Sequence, residues 1–127
     1  MNSRLERVLV AAWVVAGFAT GGCDRDAATT GAGSGGDVER GRAAINRYGC
    51  NACHAIPGVP GPGGVVGPSL AGIASRTQLR GGLQNRPDNM LRWLQDPQAV
   101  DPKTTMPKLH VTDDDARDIA AYLYTMR

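Results

Sequence analysis

Aromatic side chains are scarce, at 5% of the 127 residues, and beyond the first 23 positions only Tyr48, Trp93, Tyr122 and Tyr124 occur. Domains this short bury a low fraction of their surface and commonly depend on a staple such as a disulfide, a metal or another group. Cysteine is scarce as well. The three present, Cys23, Cys50 and Cys53, are an odd number, which excludes a framework of paired disulfides. Charge of one sign is not in excess: 14 Lys and Arg against 12 Asp and Glu leave a formal net charge of +2. No run of Lys or Arg forms a basic stripe, so nucleic acid is set aside as a partner. The Gly/Pro-rich stretch over 57–68 is not followed by Gly-Lys-Ser/Thr, which excludes a phosphate-binding loop, and its glycines lack the every-third spacing of collagen.

Long hydrophobic runs are absent apart from one. Val8 to Ala19 is apolar, follows Arg4 and Arg7, and ends in the small residues Thr20, Gly21 and Gly22, the arrangement of an export signal. About 20 apolar residues are needed to cross a bilayer as a helix, so a retained anchor is the second reading. Cys23 resembles the lipidation site of bacterial lipoproteins, where the cysteine becomes the acylated first residue; a plainly cleaved signal is the alternative. Residues 24–36, rich in Gly, Ala, Thr and Ser without apolar periodicity, read as a flexible linker with a reach of roughly 20 Å. The expected division is a leader or anchor over 1–23, a linker over 24–36 and one folded domain over 37–127.

The folded part has helical periodicity. Val38, Gly41, Ile45 and Tyr48 recur at spacings of about 3.6, and Gly49 supplies a stop. Residues 57–68 form a loop by their Gly and Pro content. Pro87–Gln95 suits a short helix, with Pro87 in the first turn and Pro97 closing it. Thr112 is placed to cap a final helix in which Asp113, Asp114 and Asp115 sit favourably at the positive end of the dipole. Ala116, Ile119, Ala120 and Leu123 make its apolar stripe. No strand signal of comparable strength occurs, so the expected class is all-α.

The densest chemistry is Cys50-Asn51-Ala52-Cys53-His54. Two cysteines three apart lie about one helical turn from each other, so their sulfurs can bond the two vinyl groups of one haem while the next imidazole points at its iron. A haem also supplies the flat apolar area that so few aromatics leave wanting. A zinc site would need four ligands and a second cluster, and only His110 remains to contribute. A thioredoxin-like pair would sit in a βαβ setting, which the periodicity does not provide. With His54 on one side of the iron, Met90, Met106, Met126 and His110 are candidates for the other. Methionine is most often core filler, but Met106 lies in the extended segment Thr104-Thr105-Met106-Pro107 between the C-terminal helices. Met90 falls within a helix and Met126 at a frayed end, so Met106 is favoured and His110 is its rival.

From Gly36 to Arg127 the chain resembles the class I cytochrome c family. The resemblance implies a cytochrome c fold, three to five helices around one covalently bound haem c, with the N- and C-terminal helices crossing. Gly41 and Ile45 match the family's opening helix, which implies that Gly41 lets the last helix cross closely, with Tyr122 or Leu123 facing it. Gly67-Pro68-Ser69-Leu70 matches the family's Gly-Pro-x-Leu element, which implies a hydrogen bond from His54 Nδ1 to the Pro68 carbonyl. Such a bond fixes the ring and strengthens it as a ligand. Arg76 lies where the family often places an arginine near a haem propionate; a solvated surface arginine is the alternative. Trp93, Leu94, Pro97, Pro102, Thr104 and Met106 fit the family's spacing up to the methionine ligand. The Gly/Pro loop after His54 is slightly longer than in the short mitochondrial-type members, a change at the exposed haem edge. Val111 to Met126 is similar to cytochrome c domains that accompany bacterial haem-copper oxidases.

These features imply one-electron transfer. With His54 and Met106 both on iron no position is open for substrate, so neither an enzyme activity nor a small-molecule substrate is expected. Methionine is a soft ligand that favours ferrous iron, which suits a bacterial respiratory chain with a quinol-oxidising complex as donor and a terminal oxidase as acceptor. The place implied is the periplasmic side of the inner membrane, tethered through the N-terminus. Arg76, Arg80, Arg86, Arg92, Lys103 and Lys108 outnumber Asp88, Asp96 and Asp101 along 76–108, a rim able to steer an acidic partner at low salt; an ordinary mixed surface is the alternative. A haem enzyme or gas or redox sensor with an open or His-ligated sixth position, and a non-haem interaction module, are the alternatives.

Overall fold

The computed structural model describes residues 33–64 and 66–127; the expected leader over 1–23 and the linker as far as residue 32 lie outside the described residues. Helix α1 spans Val38–Arg47. The Asp37 carboxylate accepts from the Arg40 amide at 2.8 Å, and Glu39 and Arg47 sit in the first and last turns, each at the end of the dipole that favours its charge. Gly49 then turns at φ +68°, a left-handed conformation natural to glycine, and launches the single turn α2, Cys50–Cys53. Two short 3₁₀ turns follow, Ile73–Ser75 and Arg80–Gly82.

Helix α3 covers Pro87–Gln95 as its start and stop signals require. Pro97 does more than end it. It occupies the first turn of a further helix, α4, Pro97–Val100, whose capping Asp96 carboxylate accepts from the Ala99 amide at 3.1 Å. A proline has no N–H to lose at a first turn, so one residue serves as both stop and start. Helix α5, Asp113–Leu123, begins at Thr112, whose hydroxyl accepts from the Asp115 amide at 3.2 Å. The described residues include the isolated β-bridges of Ile56 with Val59 and Gln78 with Gln84, and no named strand occurs among them. The all-α class holds.

Helices α1 and α5 cross in the most extensive helix contact of the fold. A Cβ on Gly41 would lie 1.9 Å from the Asp118 carbonyl oxygen, and one on Gly36 2.2 Å from that of Arg117, so hydrogen alone fits at both. The family pattern places Tyr122 or Leu123 opposite Gly41, but the contact falls about one turn earlier, at Asp118. Tyr122 is engaged elsewhere: its hydroxyl donates to the Pro57 carbonyl at 2.8 Å, in the loop after His54. Beside the crossing, the buried Asp118 carboxylate accepts from Arg40 Nε at 2.8 Å, Arg40 Nη2 at 3.1 Å and the Asp37 amide at 2.7 Å.

Packing begins ahead of Asp37. Ser34 and Gly36 are buried, and a Cβ on Gly33 would touch Pro87 Cγ at 3.4 Å. The other end is equally tied down: Met126, expected to fray, is buried, and its carbonyl accepts from the Ala74 amide at 2.9 Å. Between the two helices Ala44, Ile45, Ala116, Ile119, Ala120 and Leu123 form a core that continues through Met90 and Leu94 of α3. Among the described residues no helix is long and apolar enough to cross a membrane.

Candidate haem site

A cleft of about 550 Å³ opens where α3 and α5 meet the loop after His54 and the segment around Met106, a size common for cofactor sites. Buried apolar residues line it: Ile45, Ile56, Ile73, Met90, Leu94, Ile119 and Leu123. His54 leaves α2 in extended backbone, at φ −114° and ψ 137°, and its Nδ1 lies 2.7 Å from the Pro68 carbonyl oxygen. A carbonyl only accepts, so Nδ1 carries the proton and Nε2 keeps the lone pair that a metal requires.

The loop after His54 is wrapped against the backbone of the motif. A Cβ on Gly67 would lie 2.4 Å from His54 Cε1, and one on Gly64 1.6 Å from the Cys53 carbonyl oxygen. That same carbonyl accepts from the Gly67 amide at 2.8 Å. Side chains complete the attachment: Asn51 Nδ2 donates to the Pro60 carbonyl at 2.7 Å, and Arg42 Nε to the Gly58 carbonyl at 3.0 Å. In sequence these glycines look like bare flexibility, whereas here they are the places where a close approach forbids a side chain.

Cys50 and Cys53 are half-buried free thiols at the two ends of α2. Cys50 lines the cleft, and Cys53 stands beside it without lining it. Burial pushes the Cys50 thiol above its ordinary pKa, the opposite of what a thiolate ligand or a redox nucleophile needs. Among the described residues no group of three or more His, Cys, Asp or Glu is placed to hold a metal ion. A zinc site thus lacks a ligand cluster among the described residues, whereas two thiols one turn apart beside an apolar cleft, followed by an oriented imidazole, fit a covalently attached porphyrin.

Thr104, Thr105 and Met106 line the cleft from the segment between α4 and α5. The segment is held by hydrogen bonds from the Thr104 amide to the Asp101 carbonyl at 2.9 Å and from the Met106 amide to Thr104 Oγ1 at 3.2 Å. Met90 also lines the cleft, but as a side chain 1% exposed in the core of α3. Met126 and the exposed His110 are not among the lining residues. Trp93 and Leu94 reach the cleft from α3. Arg76 reaches it from the end of the first 3₁₀ turn, its Nη2 donating to the carbonyls of Ser69 at 2.6 Å and Ala71 at 3.2 Å. The fold therefore gathers Cys50, His54, Pro68, Arg76, Trp93, Leu94, Thr104 and Met106 around one cavity.

The protein-family model described as Cytochrome c matches residues 38–127. The chain belongs to the cytochrome c family. It accordingly carries one covalently bound haem c and works by electron transfer. Among solved structures, cytochrome c2 from Rhodobacter sphaeroides is similar at 28% identity and a TM-score of 0.57, covering 72% of this chain and 96% of that one. Cytochrome c oxidase subunit 2 of Alkalihalophilus pseudofirmus is 28% identical over 91 residues, 71% of this chain. The cytochrome c spans 26% of that relative's length.

Along 76–108 of this cytochrome c the basic residues are partly paired. Arg80 meets Asp101 at 3.9 Å, Arg86 meets Asp88 at 3.0 Å and Lys108 meets Asp96 at 2.6 Å. The hydrogen bond from Lys108 holds the Asp96 carboxyl below the usual carboxylate range. Pairing does not change the excess of cations over acids along the segment. Of the six basic residues, Arg76 and Arg80 line the cleft itself.

Proposed function

We propose that this cytochrome c is an exported single-haem electron carrier with His54 and Met106 as axial ligands, passing electrons from a quinol-oxidising complex to a terminal oxidase. The observation that carries the reading is the convergence on one apolar cleft of His54, oriented by Pro68, and Met106. When bound, haem c supplies a one-electron couple between ferric and ferrous iron. Cys50 and Cys53 hold it by thioether links. His54, with Nδ1 committed to Pro68, offers Nε2, and the hydrogen bond raises its strength as a ligand. Met106 offers a soft sulfur that favours the ferrous state and raises the potential relative to two histidines. Ile45, Leu94, Ile119 and Leu123 would wall the haem with apolar surface, and Arg76, which also lines the cleft, would face its carboxylates. With His54 and Met106 both committed to iron, the lining would leave no open position for a substrate, which supports a carrier rather than an enzyme.

The oxidase as acceptor is supported by the likeness to a protein named cytochrome c oxidase subunit 2. The excess of Lys and Arg along 76–108 supports an acidic docking face on the partner. The apolar run Val8–Ala19 followed by Cys23 supports export and a tether to the periplasmic face of the inner membrane.

Met106→Ala should abolish the long-wavelength charge-transfer band of methionine-bound ferric haem and let carbon monoxide bind the reduced form readily. A wild-type protein without that band, or a variant that keeps it, overturns the ligand assignment. Mass spectrometry of the mature protein should show a haem addition on the peptide holding Cys50 and Cys53 and acyl groups on Cys23; a start beyond Cys23 rejects the lipid tether.

A further inference from the structure

We propose that Asn85 is a positioning residue for the haem, holding Arg76 at the cleft rim and so maintaining the contribution of Arg76 to the reduction potential. The inference rests on the reading of Arg76 as the residue that faces the haem carboxylates. Asn85 belongs to no helix, yet its amide ties three parts of the chain together. Nδ2 donates to the Ile73 carbonyl at 2.7 Å and to the Arg76 carbonyl at 2.9 Å. Oδ1 accepts from the Tyr124 hydroxyl at 3.0 Å, and the Asn85 backbone amide donates to the Thr77 carbonyl at 3.0 Å. Burial, and secondarily Asp88, pushes the Tyr124 hydroxyl above its ordinary pKa, so it stays a donor.

The chemistry of the position is narrow. A primary amide has two hydrogens to give and an oxygen to receive, and here both hydrogens and the oxygen are engaged. Asp in its place would offer no donor to the two carbonyls, and an apolar side chain would strand all three partners. The bonded carbonyls bracket the 3₁₀ turn Ile73–Ser75, and the second belongs to Arg76 itself. The guanidinium of Arg76 is held in turn by the carbonyls of Ser69 and Ala71. Arg76 is thereby fixed at its main chain by Asn85 and at its tip by the loop that also carries Pro68. A cation held beside a haem favours the electron-rich ferrous state, and Arg76, itself exposed, is screened the more the further it strays into solvent. The turn has a second attachment, from the Ala74 amide to the Met126 carbonyl, so loss of the Asn85 amide loosens the main chain of Arg76 without detaching the wall.

The test is a mutant cycle read by the midpoint potential of the holoprotein, with amide hydrogen exchange as a readout that does not involve the iron. Asn85→Ala should lower the ratio of reduced to oxidised protein at a fixed ambient potential by about threefold. Arg76→Ala should lower it at least as far, and the double variant no further than Arg76→Ala alone, because the two residues act through one cation. The Arg76 amide, which donates to the Ile73 carbonyl at 3.2 Å, should exchange faster in Asn85→Ala. Tyr124→Phe leaves both Nδ2 bonds in place and should keep the wild-type potential while losing thermal stability. Additive shifts in the double variant, or an unchanged potential in Asn85→Ala beside a shifted Arg76→Ala, overturn the role of Asn85. An unchanged potential in Arg76→Ala overturns the reading of Arg76 and this inference with it. If Asn85→Ala does not load haem, Asn85→Ser retains one donor and should show a smaller shift of the same sign that also vanishes without Arg76.

Discussion

Gly67 and His54 meet so closely that a methyl on the glycine would lie 2.4 Å from the ring, and the ring cannot turn away without surrendering its 2.7 Å bond to Pro68. Gly67→Ala should therefore reduce haem loading, seen as a lower Soret-to-protein absorbance ratio, and destabilise the fold by about 1–3 kcal/mol, the range for overpacking. An alanine variant that loads and melts like wild type would mean that the loop yields freely. At this scale the sequence is most legible where chemistry demands adjacency. Cys50, Cys53 and His54 announce themselves because the links and the ligand must come from one turn of chain, and Pro68 follows from its Gly-Pro-x-Leu setting. Asn51 and Asn85 are silent in sequence. Their partners, Pro60, Ile73, Arg76 and Tyr124, are chosen by the folded geometry, and an asparagine in a loop has no period to betray what it bonds.

Helix starts and stops follow rules that act over a few residues, which is why α1, α3 and α5 were legible to within a residue or two from Asp37, Gly49, Pro87 and Thr112. Relations between helices are less so. The glycine that permits the α1–α5 crossing is evident, but its neighbour is not, because a shift of one turn along α5 leaves the same apolar stripe facing inward. Pro97 was legible as a stop and not as a start, since the capping bond from Ala99 to Asp96 exists only once the chain has turned there. A Cβ on Gly41 would press on the Asp118 carbonyl at 1.9 Å, and backbone cannot swing aside as a side chain does. Gly41→Ala should cost about 3 kcal/mol, whereas Thr112→Ala, which removes only a cap, should cost about 1 kcal/mol. Denaturant unfolding of the holoprotein orders the two, and the reverse order would place the close approach elsewhere.

At the scale of the whole molecule, two carboxyls among the described residues join the first and last helices, and both are held below their ordinary range. Burial works against the charged form of Asp118, but Arg40 and the Asp37 amide prevail; the Tyr48 hydroxyl leads for Asp115, with Arg47 and Thr112 adding to it against burial. A carboxyl depressed in the folded state stabilises it fully above the unfolded value of about 4 and loses that contribution as pH falls through the folded value. Thermal unfolding should thus be flat from neutrality to about pH 5 and fall below about pH 4, with Asp118→Asn lower at neutrality and less steep in acid. An unchanged slope in that variant would remove Asp118 from the cause. Electron transfer to an acidic partner should slow as salt is added, since the cations of the rim are exposed to screening. The cavity draws its lining from Ile45 near one end of the domain to Leu123 near the other, and no shorter stretch encloses it. A chain ending at His54 would present its two sulfurs and its imidazole on open peptide, and the chamber is complete only with the last helix in place.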